Sequence, residues 1–135
     1  MLECLILGDS IAVGTIHARP GCIEMAKGGI NSRDWNTQFG NRPALDGMDY
    51  KTVIISLGSN DYQGINTRKE VEAIREKVQA KRVFWVLPAI KPAVQEIIRE
   101  TARHYGDTVI PISDLSKDGV HPTGKGYREI ANAAK

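Results

Sequence analysis

Five short apolar runs, each cut off by a glycine, a proline or a polar residue, constrain this chain more than any other feature. Leu2–Leu7 ("LECLIL") stops at Gly8, Cys22–Ala26 at "KGG", and Thr52–Leu57 ("TVIISL") at Gly58. Arg82–Leu87 ("RVFWVL") stops at Pro88, and Asp107–Ile112 ("DTVIPI") is the last of the series. The runs are continuous rather than alternating. That pattern suits strands covered on both faces, as in a parallel sheet.

Helical periodicity fills the intervals. "TRKEVEAIREKVQA" places Val71, Ile74 and Val78 on one face, and Thr67 with Glu70 three residues later reads as a capping box. "KPAVQEIIRETARHY" has Pro92 early, where proline is tolerated, and aligns Val94, Ile97, Ile98 and Thr101. "TGKGYREIANAA" aligns Tyr127, Ile130, Ala131 and Ala134. Shorter helices are expected after Ser10 and Asn31, and residues 37–50 carry no clear pattern. Strand alternating with helix implies right-handed crossovers. The expected fold is a three-layer α/β/α sandwich around a flavodoxin-like five-stranded parallel sheet, strand order 2-1-3-4-5. A chain of 135 residues without linker or repeat predicts one domain, 1–135.

Composition narrows the function classes. The net charge is +2 and no dense Lys/Arg block occurs, so nucleic acid is not an expected partner. The longest apolar run, "VFWVLPAI", falls far short of a membrane span of about 20 residues. "LECLIL" is too short and too acidic for a signal core. The expectation is a soluble protein, cytoplasmic or otherwise, with no signal peptide in this chain. Cys4 and Cys22 both border apolar segments; as the one possible pair, they read as reduced, buried thiols.

The unusual polar residues gather after strand ends: Ser10 after the first, Gly28 and Gly29 after the second, "GSND" (58–61) after the third, "DGVHP" (118–122) after the fifth. Open α/β sheets bind ligands outside the carboxyl ends of their strands, at the switch in strand order. In the expected order that switch lies between strands 1 and 3, flanked by Ser10 and Asn60. Strand 5 lies roughly 14 Å from strand 1. The segment from Ser113 to His121 can span about 30 Å, so His121 can reach Ser10.

The chemistry of such a cluster is acyl transfer. A serine hydroxyl needs a base, and a neutral imidazole at His121 could supply one. Asp118 could fix its tautomer and stabilise its cation. The backbone N–H groups of Ser10 and Gly29 and the Asn60 amide could hold an oxyanion. Asp9 is expected to cap the first helix.

These blocks resemble the SGNH (GDSL-type) hydrolase family: "LILGDSIAVG", "SLGSND" and "DGVHPTGKGY" in family order, with "AKGGINSRD" as a weaker second block. The resemblance spans nearly the whole chain. It implies serine-dependent ester hydrolysis, with Ser10, Asp118 and His121 as the triad and Ser10, Gly29 and Asn60 as the oxyanion hole. By the same resemblance Gly28 is the second match to the family's oxyanion glycine; no cofactor and no metal are expected. The chain is short and lacks an evident lid, which favours a small acyl-ester substrate, with an O-acetylated carbohydrate as one candidate. A thioesterase or lysophospholipase using the same site, and a catalytically silent carbohydrate- or partner-binding module, are the alternatives.

Other readings are weaker. "GVHPTGKG" nearly spells a phosphate-binding loop, but Gly126 stands where a hydroxyl is required. A metal site from Asp9, Asp61, Asp118 and His121 lacks recognisable ligand spacing. No GxSxG elbow surrounds Ser10. His17 and His104 read as surface residues, and Trp35, Phe84 and Trp85 as packing.

Overall fold

The computed structural model describes all residues, Met1–Lys135. Strands β1 (Leu2–Gly8), β2 (Ile23–Ala26), β3 (Asp49–Ser56), β4 (Gln79–Val86) and β5 (Thr108–Ile110) form one sheet in the order β2-β1-β3-β4-β5. All four pairings are parallel. The helices are α1 (Ser10–Ala18), α2 (Ser32–Phe39), α3 (Thr67–Lys77), α4 (Pro92–Tyr105) and α5 (Gly124–Ala133). The expected architecture is the observed one.

Two cores explain the continuous apolar runs. Leu5, Leu7, Val53, Ile55 and Trp85 point to one face, under α2, α3 and α4. Cys4, Ile6, Ile54, Phe84 and Val86 point to the other, under α1 and α5. Each strand therefore buries successive residues in opposite layers. Trp35 and Trp85 are fully buried, and each indole N–H is satisfied, by the Met25 carbonyl at 2.9 Å and the Asp107 carboxylate at 2.9 Å. His17 and His104 are exposed, as expected.

Three details differ from the sequence reading. First, the cysteines are not free: Cys4 and Cys22 form a disulfide. The register pairs Leu5 with Ile23, which sets the preceding residues side by side with Cα atoms 4.8 Å apart, inside the range a disulfide needs. Second, Asn66, not Thr67, caps α3, accepting from the Lys69 N–H at 3.1 Å, and the Thr67 hydroxyl turns inward to Asp61. Third, α3 ends at Lys77, because Gln79 and Ala80 pair with Asp49 and Tyr50 in the sheet. The unassigned tract 37–50 contains the end of α2, turns and the start of β3.

Candidate active site

At the carboxyl end of β1, Gly8 adopts φ 141°, and a side chain there would strike the Ser56 carbonyl, 1.9 Å from the Cβ position. β1 and β3 thus approach more closely than any other residue would permit. Asp9 then caps α1: its Oδ1 accepts from the Ile11 N–H at 3.0 Å and from the Ser56 hydroxyl at 3.2 Å. Its Oδ2 is buried without a partner, and burial pushes the carboxyl up to about 6. Ser10 is the first residue of α1. Its N–H has no carbonyl four residues back within the helix, and the helix N-terminus carries partial positive charge.

His121 arrives from the far side of the sheet. The segment after β5 is tied by Ser116 N–H to the His121 carbonyl at 2.8 Å and by a bridge between Leu115 and Pro122. Thr123 then caps α5, accepting from the Gly126 N–H at 3.1 Å. α5 returns across the sheet to pack on α1, where Gly14 leaves room for the Tyr127 ring; a Cβ there would lie 2.2 Å from it. Arg19 closes the same pair of helices, donating to the Ala134 carbonyl at 2.7 Å. Docking of α5 on α1, rather than strand adjacency, brings His121 to Ser10.

The contact is direct. His121 Nε2 lies 2.8 Å from Ser10 Oγ, and His121 Nδ1 lies 2.7 Å from Asp118 Oδ2. Asp118 Oδ1 accepts from the N–H groups of His121 (2.9 Å) and Val120 (2.8 Å) and from the Ser116 hydroxyl (2.8 Å). Those backbone donors, then the imidazole and the Ser116 hydroxyl, hold its carboxyl well below the usual carboxylate range. An ionised carboxylate only accepts, so Nδ1 carries the ring proton and Nε2 is left to accept from the Ser10 hydroxyl. Burial, then Asp9 and Asp118, raise the Tyr127 phenol. The His121 and Asp118 side chains remain 42% and 49% exposed, so the site is open to solvent.

Gly28 and Gly29 form the centre of a turn closed by Ile30 N–H to the Lys27 carbonyl at 3.3 Å. Gly29 has φ 78°, the left-handed conformation the third turn position requires. The Cβ position of Gly28 lies 3.9 Å from Ser10 Cβ, whereas that of Gly29 faces open space. Neither glycine N–H donates to a protein acceptor. Asn60 spends one amide hydrogen on the Ile30 carbonyl at 3.1 Å and retains a second. Its block follows β3, the neighbour of β1, with Gly8 paired to Ser56.

Sequence reading missed what fixes these loops. Asp61 is buried; its carboxylate accepts from the Ser32 N–H (2.8 Å), the Ser32 hydroxyl (2.6 Å) and the Thr67 hydroxyl (2.7 Å). It joins the Asn60 loop to the starts of α2 and α3. Its place beside Asn60 was the available signal. Asp9, Asp61, Asp118 and His121 do not gather into one ligand cluster.

No family model and no curated protein matches the sequence. Solved structures do match. A lipase/acylhydrolase from Enterococcus faecalis aligns with a TM-score of 0.68 at 17% identity, over 100% of this chain and 98% of that one. The chain has the fold of GDSL-type acylhydrolases. A lipolytic protein of the G-D-S-L family from Desulfitobacterium hafniense aligns at 0.63 and 16% identity, over 98% and 97% of the two chains. The catalytic domain of peptidoglycan O-acetyltransferase A from Streptococcus pneumoniae, solved with a methylsulfonyl adduct, aligns at 0.59 and 16% identity, over 99% and 96%.

Proposed function

We propose that this chain is a serine hydrolase of the SGNH type that cleaves short acyl esters through an acyl-enzyme. The observation that carries the proposal is the unbroken hydrogen-bonded series Ser10–His121–Asp118, at 2.8 and 2.7 Å. Ser10 attacks the carbonyl while His121 takes its proton, and Asp118 stabilises the imidazolium. The oxyanion is held by the N–H groups of Ser10 and Gly29 and the second amide hydrogen of Asn60. Gly28, which lies against Ser10, is the alternative glycine. His121 then returns the proton to the leaving alcohol, and water activated by the same imidazole releases the acid. The solvent-open triad favours acetyl-sized acyl groups on a bulky alcohol such as a carbohydrate. Resemblance to an O-acetyltransferase domain supports a second outcome, in which a sugar hydroxyl replaces water in the last step.

The test compares the parent with Ser10→Ala on p-nitrophenyl acetate and longer esters, with and without carbohydrate acceptors. Turnover that collapses at least about 10³-fold in the variant is expected. Equal rates would remove Ser10 from the nucleophile's role. Absence of both ester turnover and fluorophosphonate labelling would favour a silent binding module. A thioesterase or lysophospholipase would show instead as preference for thioesters or long-chain lysolipids.

A further inference from the structure

Lys91 is the one non-glycine residue of the chain with positive φ, at φ 65° and ψ 80°. It stands immediately before α4, at the cap position, and makes no side-chain capping bond. Glycine would adopt this backbone without strain. A lysine at such a place needs a reason, and its side chain supplies one. The Lys91 ammonium donates to the Ser59 carbonyl at 2.7 Å and to the Asp61 carbonyl at 2.6 Å. These two carbonyls flank Asn60. The same loop is gripped on its other side by the Asp61 carboxylate, bonded to Ser32 and Thr67.

We infer that Lys91 is a positioning residue for catalysis, a clamp that fixes the Asn60 loop from α4 so that the Asn60 amide is preorganised toward the oxyanion formed at Ser10. The inference rests on the hydrolase reading. Two short charge-assisted bonds, to the carbonyls of Ser59 and Asp61, leave little freedom to rotate the Ser59–Asn60 and Asp61–Tyr62 peptides, which bracket Asn60. Asn60 itself has only its bond to the Ile30 carbonyl for orientation. A donor that must be rigid before the reaction begins gains most from such a clamp. Lys91 lies outside the Ser10–His121–Asp118 series, so it acts through Asn60 and not on substrate.

The test uses Lys91→Met, Lys91→Gly and Lys91→Arg. With p-nitrophenyl acetate, kcat is expected to fall about ten- to a hundredfold in the Met and Gly variants, part of the loss that follows removal of an oxyanion donor, with KM within about twofold. Arg, which can still donate to both carbonyls, should lose less than about fivefold. Lys91→Gly relieves the backbone strain, so its melting temperature should be no lower than that of Lys91→Met. Each variant is assayed at a temperature where its circular dichroism shows the folded state, so a rate loss there is not unfolding. A kcat within twofold of the parent in both Met and Gly would overturn the clamp. Failure of the parent itself on every ester would overturn the hydrolase reading instead. The clamp is then read from the side-chain amide resonances of Asn60. They should broaden or shift in Lys91→Met, and unchanged resonances would refute it.

Discussion

Asp9 is a buried acid whose Oδ2 has no partner, and replacing it with asparagine should reshape the pH dependence of stability. Desolvation, opposed by bonds from the Ile11 N–H and the Ser56 hydroxyl, raises its pKa from the ordinary 3.8 to about 6. The folded state therefore holds the proton more tightly than the unfolded chain does. That contribution favours folding fully below about pH 4 and is lost as the pH rises through about 6. At 1.36 kcal/mol for each factor of ten, ionised Asp9 costs the native state about 3 kcal/mol above the window. The Asp9→Asn side chain would keep an acceptor for the Ile11 N–H and carry no charge. It would also bury an amide NH₂ where Oδ2 now stands, a constant penalty of about 1–3 kcal/mol. Subtracting parent from Asp9→Asn at each pH isolates the titration from that offset and from every other acid. Urea unfolding at pH 4 and pH 8 should show the variant gaining about 2–3 kcal/mol on the parent between the two. In thermal melts this is roughly 10 °C for a chain of this size. A difference that stays constant within about 0.5 kcal/mol would show that the Asp9 carboxyl is not desolvated as its geometry requires.

Two further perturbations probe the proposed triad and the disulfide. Asp118→Asn should lower kcat about 10²–10⁴-fold, because an amide facing Nδ1 no longer enforces the tautomer that leaves Nε2 free for Ser10; steady-state kinetics at neutral pH decide it, and an unchanged rate would leave a Ser–His dyad. Loss of the Cys4–Cys22 bond, by Cys4→Ser with Cys22→Ser or by reductant, should cost about 3 kcal/mol for a loop of sequence separation 18, read by urea unfolding with the parent under oxidising and reducing conditions.

The sheet was legible because burial on both faces writes itself into a strand as an unbroken apolar run. Leu5 and Leu7 serve one layer while Cys4 and Ile6 serve the other, so neither face shows a polar rest. The candidate residues Ser10, Asn60, Asp118 and His121 stood out because each lies in a polar stretch that follows an apolar run. What lay hidden depends on register and on side chains returning from a distant element. Cys4 meets Cys22 only because the parallel pairing sets Leu5 opposite Ile23. Thr67 looked like a cap, yet its hydroxyl finds a stronger acceptor in the buried Asp61 carboxylate, and Asn66 takes the capping role.

The anchors that sequence periodicity could not reveal all converge on the same few loops. The starts of α2 and α3 hold the Asn60 block through Asp61, and the start of α4 holds it through Lys91. α5, docked on α1 through Tyr127 and Gly14, carries His121 to Ser10. Residues from every helix are therefore committed to the carboxyl end of the sheet. A small domain has little stability to spare, yet here it tolerates a left-handed lysine before α4 and a partnerless buried carboxylate oxygen in the residue before Ser10. Local costs of this kind are expected where a backbone or polar group is held for a purpose other than stability. The Asp9 carboxylate, buried beside Ser10 with one oxygen unpartnered, is such a cost, and it is read from the structure and not from a sequence motif.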